Sequence, residues 1–86
     1  MARYEILLKR SVLKKDFDSI PKGDAARIMA AIRELGDNPR PVGVMKLSGQ
    51  ERYRLRQGDY RIIFSIQDQE STVWVVKIGH RRDIYR

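Results

Sequence analysis

The sequence predicts an α+β domain with the element order β-α-α-β-β-β, in which an antiparallel sheet carries an N-terminal helix hairpin on one face. Three observations support this class. Apolar residues recur with a helical period in the first part of the chain, they alternate with period two from Arg52 onward, and turn-forming residues separate the segments. The length of 86 residues is that of one domain, so we expect residues 1–86 to fold as a single unit.

The first predicted strand is Tyr4–Leu8, a short and mostly apolar run. Ser11 follows this strand in a position to cap a helix. The helix has one apolar stripe, because Leu13, Phe17 and Ile20 recur at i, i+4 and i+7. We therefore expect these three side chains to face the core.

A second helix is predicted from Asp24 to Leu35, after a break at residues 21–23, Pro-Lys-Gly. Its apolar stripe consists of Ile28, Ile32 and Leu35. Gly36 suits a left-handed cap at the end of this helix. The two helices are expected to form an antiparallel hairpin because the connection between them is short. Residues 40–50 contain further Pro and Gly and are expected to form an ordered loop.

Three more strands are predicted over Arg52–Arg56, Tyr60–Ile66 and Thr72–Ile78. Residues 57–59, Gln-Gly-Asp, and residues 68–70, Asp-Gln-Glu, separate these strands by tight turns. Strands joined in this way form an antiparallel meander. We expect the first strand to join the same sheet.

Side chains alternate across a sheet, so the meander has one apolar face that can pack on the helices. This predicted core face consists of Leu55, Tyr60, Ile62, Phe64, Ile66, Trp74, Val76 and Ile78. The opposite face then carries Arg54, Arg56, Arg61, Lys77 and Arg81. Closely spaced arginines repel one another unless an anion lies between them, which favours a phosphate-binding face over a merely solvated one.

The charge distribution agrees with this interpretation, since the net charge is +7 and residues 40–86 carry ten basic but only five acidic side chains. A basic face of this kind suits a nucleic acid or an acidic protein partner. With no cysteine and one histidine, the chain is expected to hold no disulfide and no metal. The lack of cysteine fits a cytoplasmic protein, and no segment approaches the roughly 20 apolar residues of a membrane span.

Several short strings in the second half of the chain are specific enough to indicate a family. They are Lys46-Leu47-Ser48-Gly49, then Tyr53-Arg54-Leu55-Arg56, then residues 58–64, GDYRIIF, and finally residues 79–86, GHRRDIYR. Together with the two-helix N-terminal half and the chain length, they resemble the RelE branch of the RelE/ParE toxin superfamily. The resemblance covers most of the chain.

This resemblance implies the toxin of a type II toxin–antitoxin pair. RelE members are ribosome-dependent endoribonucleases that cut mRNA in the ribosomal A site and so inhibit translation. The implied partners are a cognate antitoxin, with which a hetero-oligomer is expected, and the ribosome with its rRNA and mRNA. No cofactor and no membrane contact are implied.

The resemblance also assigns roles to individual residues. Arg61 matches the arginine that stabilises the phosphate, Arg81 the arginine that assists the leaving group, and Tyr85 the tyrosine that activates the 2′-hydroxyl. Arg54 and Arg56 stand where members of the family have lysines that position or activate the RNA. The expected RNA-binding residues are Lys46, Arg54, Arg56, Lys77 and Arg82.

The residues alone support part of this chemistry. Attack of the 2′-OH on the adjacent phosphate needs a proton acceptor, charge at the phosphate and help for the departing 5′-oxygen. A guanidinium hardly releases its proton, so Arg81 is expected to act electrostatically. A phenol has a reference pKa of about 10, and neighbouring cations favour its ionised form, so Tyr85 is a plausible base.

His80 has two interpretations at this stage. It is a candidate acid, because an imidazole titrates near neutral pH. Alternatively, strand parity places it on the side of Trp74 and Ile78, where it packs against the helices. Parity favours the second interpretation.

Two rival functions share the predicted fold. One is a ParE-like toxin that inhibits DNA gyrase and cleaves nothing, and the other is an inactive member that binds only its antitoxin. The joint presence of Arg61, Arg81 and Tyr85 favours the nuclease. The antitoxin is expected to lay an acidic or amphipathic helix over the basic face or against the helix hairpin.

Overall fold

The structure is a computed structural model that describes residues 3–47, 49 and 51–82. In this part the strands are β1 (Glu5–Leu8), β2 (Met45–Lys46), β3 (Tyr53–Gln57), β4 (Tyr60–Gln67) and β5 (Thr72–His80). The helix α1 spans Lys22–Leu35. Before it lies the N-terminal helical segment, made of a π-helix at Val12–Asp16 and a 3₁₀ turn at Phe17–Ser19. No helix within these described ranges is long and apolar enough to cross a membrane.

The predicted α+β class is confirmed, with the strands in the order β1-β5-β4-β3-β2. The meander is antiparallel as predicted. The sheet as a whole is mixed, because β1 runs parallel to β5. The short β2 adds a strand inside the predicted loop and pairs with β3.

The parallel pairing follows from where the chain goes after β1. Lys9 N–H donates to the carbonyl of Val75 at 3.0 Å, so β1 ends partway along β5. Farther on, the Asp16 carboxylate accepts a hydrogen bond from the backbone N–H of Ile78 at 2.9 Å. The N-terminal helical segment therefore lies beside the second half of β5. Strand β1 leads into this segment along the first half of β5, so it runs in the same direction as β5.

The N-terminal helical segment buries Val12 completely and leaves Leu13 exposed, so the predicted stripe was wrong at Leu13. The reason is a wide turn in which Phe17 N–H bonds the carbonyl of Val12, five residues earlier. A π-helical turn of this kind brings Val12 and Phe17 to the same side. Ser11 also differs from expectation, since its backbone is already helical and its side chain makes no capping bond.

Helix α1 buries Ile28, Ile32 and Leu35, as its apolar period predicted. Gly36 follows it with φ −64°, so the predicted left-handed cap was wrong. A Cβ at Gly36 would lie 3.2 Å from the carbonyl oxygens of both Arg33 and Tyr4. The position favours glycine because the chain entering β1 passes close to the end of α1, where Tyr4 N–H donates to the Gly36 carbonyl at 2.8 Å.

A β-bulge in β5 overturns part of the predicted parity. Ile63 pairs with Lys77 but Phe64 pairs with Val75, so Val76 is an extra residue on β5. An extra residue reverses the face to which the strand's side chains point. Val73 and Val75 are therefore fully buried in the core, whereas Trp74, predicted to be core, is 38% exposed on the other face.

The core lies between the helices and one face of the sheet. Its fully or nearly fully buried residues are Val12, Ile20, Ile28, Ile32, Leu35, Ile62, Phe64, Val73, Val75 and Ile78. The predicted core residues Leu55, Tyr60 and Ile66 pack against this cluster and are partly buried. The opposite face of the sheet carries no helix of the described part, and its side chains form the surface considered below.

A polar cluster around Asp68 ties together three distant parts of the chain. Arg40 Nη1 and Nη2 donate to the two Asp68 oxygens at 3.2 and 2.8 Å, and the Tyr4 hydroxyl donates to Asp68 Oδ1 at 2.7 Å. The Arg40 guanidinium also lies over the Tyr53 ring, 5.6 Å from its centroid. Hydrogen bonds from Arg40 and then Tyr4 lower the pKa of Asp68 from 3.8 to about 2.

This cluster predicts acid sensitivity. A carboxyl whose pKa is lower in the folded state stabilises the fold above its unfolded pKa and loses that contribution as the pH falls through its folded pKa. We expect Asp68→Asn to lower the thermal midpoint at pH 7, and the difference from wild type to shrink between pH 4 and pH 2. Thermal melts followed by circular dichroism at stepped pH measure this.

The matched control is Asp18→Asn, since Asp18 is also exposed and accepts no side-chain hydrogen bond among the described residues. It should leave the melting curve at pH 7 nearly unchanged. A gap between wild type and Asp68→Asn that stays constant down to pH 2 would contradict the role of the ionised carboxylate.

Candidate functional site

The face of the sheet opposite the helices collects the basic side chains of three strands, and we call it the arginine face. Arg56 on β3 pairs directly with Arg61 on β4, and Arg54 pairs with Ile63. Ile63 in turn pairs with Lys77 on β5. Directly paired residues point to the same side of a sheet. The structure therefore brings together four of the cations that the sequence predicted for this face.

Arg61 lies at the centre of this arrangement and is buried, with only 7% of its surface exposed. Its Nη1 donates to the carbonyl of Tyr60 at 3.3 Å. Within residues 3–47, 49 and 51–82, no carboxylate forms an ion pair with Arg61, Arg56 or Lys77. Burying a charge without a counter-charge is costly, so the fold holds Arg61 in a state that an anion would stabilise.

The pairing of Arg56 with Arg61 adds to that cost. Directly opposed residues on antiparallel strands have Cβ atoms about 4.5–5.5 Å apart, and like charges at that distance repel. An anion placed between the two guanidiniums would relieve the repulsion. A phosphate group suits the position, because guanidinium presents paired N–H donors that match two phosphate oxygens.

A cleft of about 280 Å³ opens beside these arginines. Its lining residues are Val42, Gly43, Met45, Arg54, Leu55, Arg56 and Arg61. The basic side is therefore formed by β3 and β4, and the apolar side by the loop that leads into β2. A cleft with one cationic and one apolar side can hold a phosphate together with the sugar or base attached to it.

The apolar side of the cleft was missed by the sequence analysis. Val42 is fully exposed and Met45 is 54% exposed, so this side of the cleft presents apolar surface to the solvent. Gly43 between them has φ +94°, a conformation that favours glycine, and a Cβ there would meet nothing within 4 Å. The signal in the sequence was the Pro-Val-Gly-Val-Met run, whose apolar residues have no helix or strand period.

Arg54 contacts the apolar side of the cleft directly, since its Nη2 lies 3.0 Å from the Met45 sulfur. Met45 and Arg54 are also direct partners across β2 and β3. The short strand β2 thus fixes the loop against the arginine face. Without this pairing the cleft would lack its apolar side.

Arg81 and Arg82 follow directly after β5 and are both exposed. The backbone N–H of Arg81 donates to the carbonyl of Asp59 at 2.8 Å, which holds Arg81 beside the turn between β3 and β4. Gly79, two residues before Arg81, pairs with Arg61. Arg81 is therefore fixed at the end of the sheet at which Arg61 lies. Tyr85, the third predicted catalytic residue, lies outside the described residues.

Lys46 and His80 are placed away from the arginine face. Lys46 pairs with Tyr53, whose ring stacks on Phe64 of the core, and its amino group lies 3.8 Å from Glu51. His80 pairs with Tyr60 and meets its ring edge-on, with centroids 5.6 Å apart. Its Nδ1 accepts a hydrogen bond from Arg82 N–H at 3.2 Å. Because its partner Tyr60 packs against the core, His80 lies on the helix side, as parity favoured.

Comparisons with known proteins agree with the fold. A sequence model of the ParE toxin of the type II toxin–antitoxin system parDE matches residues 8–85. Toxin RelG of Mycobacterium tuberculosis is 35% identical to this chain, over 85% of this chain and 86% of RelG.

Solved structures show the same fold. A chain of the archaeal RelE–RelB complex from Pyrococcus horikoshii OT3 matches with a TM-score of 0.82 and 29% identity, covering 96% of this chain and 99% of that one. The intact E. coli RelBE toxin–antitoxin complex contributes a chain with a TM-score of 0.74 and 22% identity, covering 90% of this chain and 95% of that one.

Because the charge of Arg61 is buried without a counter-charge, we expect its removal to stabilise the ligand-free protein and to weaken anion binding. Arg61→Met keeps an unbranched side chain and removes the charge, so we expect the free energy of unfolding of the ligand-free protein to rise by about 1 kcal/mol. That corresponds to a rise in thermal midpoint of roughly 4–8 °C for a domain of this size. Inorganic phosphate should raise the midpoint of the wild type and have a smaller effect on the variant.

Arg33→Met is the matched control, because Arg33 is exposed on α1 and the substitution removes the same charge from the protein. Its free energy of unfolding should change by no more than about 0.5 kcal/mol, so its thermal midpoint should stay close to that of the wild type. Phosphate should still raise that midpoint. Destabilisation by Arg61→Met would show instead that the guanidinium holds the fold together.

Proposed function

This chain belongs to the ParE toxin family of type II toxin–antitoxin systems, and on that premise we propose that it is a RelE-type endoribonuclease that cuts mRNA in the ribosomal A site. The observation that supports the proposal most directly is the buried Arg61, opposed by Arg56 and lining a cleft with Arg54. A buried cation without a paired carboxylate suits a ligand that brings its own negative charge, as an RNA phosphate does.

In the proposed reaction, the scissile phosphate lies between Arg61 and Arg56. The 2′-oxygen of the preceding nucleotide attacks phosphorus, the bond to the 5′-oxygen breaks, and a 2′,3′-cyclic phosphate remains. Negative charge grows on the phosphate oxygens during attack. Guanidiniums held in place beforehand stabilise this charge without having to reorganise.

Two further residues complete the proposed mechanism. Arg81 stabilises the departing 5′-oxygen by its charge, since guanidinium is a poor proton donor. Tyr85, in its phenolate form, accepts the proton of the 2′-hydroxyl, and the departing 5′-oxygen takes up a proton from water. Neither group is a strong acid or base catalyst, so the rate depends on how well the substrate is positioned. This is a physical reason for the ribosome to be required.

The assigned RNA-binding residues divide by their position. Arg54, Arg56 and Lys77 lie on the arginine face and would hold phosphates along the strand. Arg82, past the end of β5, remains a proposed contact, and Lys46 would have to reach the RNA from the edge of the sheet. His80 is half-buried against Tyr60, so we do not assign it the role of acid.

The proposed protein partner is an antitoxin, because several similar structures are RelE–RelB complexes. An acidic antitoxin segment would neutralise the arginine face and exclude RNA from it. The toxin would act in the cytoplasm, where ribosomes and mRNA are found.

The decisive experiment is primer extension on actively translated mRNA. Expression of the wild type should produce cuts within codons, and Arg61→Ala should lower the cleavage rate by about 10²–10³ through the loss of one preorganised donor. Arg33→Ala on the exposed face of α1 is the matched control and should cut like the wild type.

Two outcomes would contradict the proposal. Full cleavage by a folded Arg61→Ala protein would remove Arg61 from the reaction. Growth arrest without mRNA cuts, accompanied by inhibition of DNA gyrase, would assign the chain to the ParE-like alternative, which the matched family name keeps open.

A second substitution tests the proton acceptor. Tyr85→Phe removes the ionisable oxygen and retains the ring, so we expect single-turnover cleavage of ribosome-bound mRNA to slow by about 10²–10⁴. Binding to the ribosome should remain, as measured by cosedimentation. An unchanged cleavage rate would show that another group accepts the proton.

A further inference from the structure

Trp74 is the single tryptophan of the chain and is one of its few large apolar side chains on the surface. It is 38% exposed and pairs across the sheet with Ser65 on β4 and Leu7 on β1. These pairings place it on the arginine face. An indole on a basic surface is a combination found where proteins bind single-stranded nucleic acid.

The bulge at Val76 creates this combination. Trp74 and Lys77 are three positions apart, so in a regular strand they would point to opposite faces. The extra residue places both on the arginine face, while Val75 and Ile78 remain in the core. Bulges commonly redirect a side chain beside a functional site.

The position of Trp74 continues the row of cations. Along β4, Ser65 is four residues from Arg61, which corresponds to about 13 Å. Across the sheet, Arg61 is paired with Arg56, and Ser65 is paired with Trp74. Between these two pairs lies the paired row of Lys77, Ile63 and Arg54. A strand whose phosphate is bound at Arg61 would cross these cations and reach the indole. Glu5, the one acidic strand residue on this face in the described part, pairs with Thr72 beyond Trp74.

We propose that Trp74 is a stacking platform for a nucleobase that flanks the scissile phosphate. This rests on the proposed function, because it assumes that RNA occupies the arginine face. The indole would add base contact to a surface that otherwise holds phosphates. Stacking is tolerant of sequence, since every base has a flat π-face, so Trp74 contributes affinity and register without codon preference.

The single tryptophan makes the test direct. Its fluorescence is measured while a short single-stranded RNA with 2′-O-methyl riboses, which cannot undergo 2′-OH attack, is added to the whole protein. We expect quenching that saturates together with binding measured by anisotropy of the labelled RNA. A strand of the same length without bases retains the phosphates, so it should bind without quenching.

Substitutions separate stacking from general destabilisation. Trp74→Ala should weaken RNA binding by about fivefold to a hundredfold, and Trp74→Phe should restore most of it. The salt dependence of binding should keep its slope in Trp74→Ala, because the phosphate contacts remain, whereas Arg54→Ala should reduce the slope. Leu13→Ala is the matched control, since Leu13 is 55% exposed on the N-terminal helical segment, away from the sheet.

The outcomes distinguish this inference from the proposed function. RNA binding without quenching, with Trp74→Ala equal to wild type, would overturn the inference and leave the nuclease proposal intact. Unchanged RNA binding combined with weaker antitoxin binding by Trp74→Ala would assign the indole to the antitoxin instead. Absence of any RNA binding by the wild type at low salt would overturn both the inference and the phosphate-binding role of the arginine face.

Discussion

Strand β5 has to serve two faces with different requirements, and one extra residue allows it to do so. The helices need Val73, Val75 and Ile78 for the core, but these three do not share the parity of a regular strand. Val76, the extra residue of the bulge, shifts the alternation by one position and so lets all three face the core. As a result, the core is completed by three apolar side chains from β5 while Lys77 remains on the outer face. The composition of the arginine face therefore depends on a packing requirement on the opposite side of the sheet.

The elements that the sequence predicted well are those with a regular period. The apolar stripe of α1 and the alternation of Arg54, Leu55 and Arg56 each leave only one arrangement that buries the apolar residues. Strand β5 is different, because Val73, Trp74, Val75 and Val76 are all apolar and parity alone cannot say which of them face inward. The N-terminal helical segment was ambiguous for a related reason, since its apolar residues fit both α-helical and π-helical turns.

Contacts between distant parts of the chain were beyond prediction from local patterns. Arg40 and Asp68 are separated by 28 positions, and neither is marked by its neighbours as one half of an ion pair. The burial of Arg61 belongs to the same class, because alternation gives the face of a side chain but not its depth. This depth is what separates Arg61 from a solvated surface arginine. Charges that are fixed and partly dehydrated before the substrate arrives act more strongly than mobile ones.

The hydrogen bond between Asp16 and Ile78 has a consequence for how other molecules can approach. Strand β5 continues beyond the end of β1, and an uncovered strand edge is a template on which a foreign strand can add. The Asp16 carboxylate occupies a backbone donor on this stretch and places the N-terminal helical segment alongside it. At the opposite edge, β2 offers only two residues, Met45 and Lys46. The stretch of β5 beyond β1 is thus covered by the N-terminal helical segment, whereas residues 55–57 of β3, beyond the short β2, keep an edge on which a foreign strand could add.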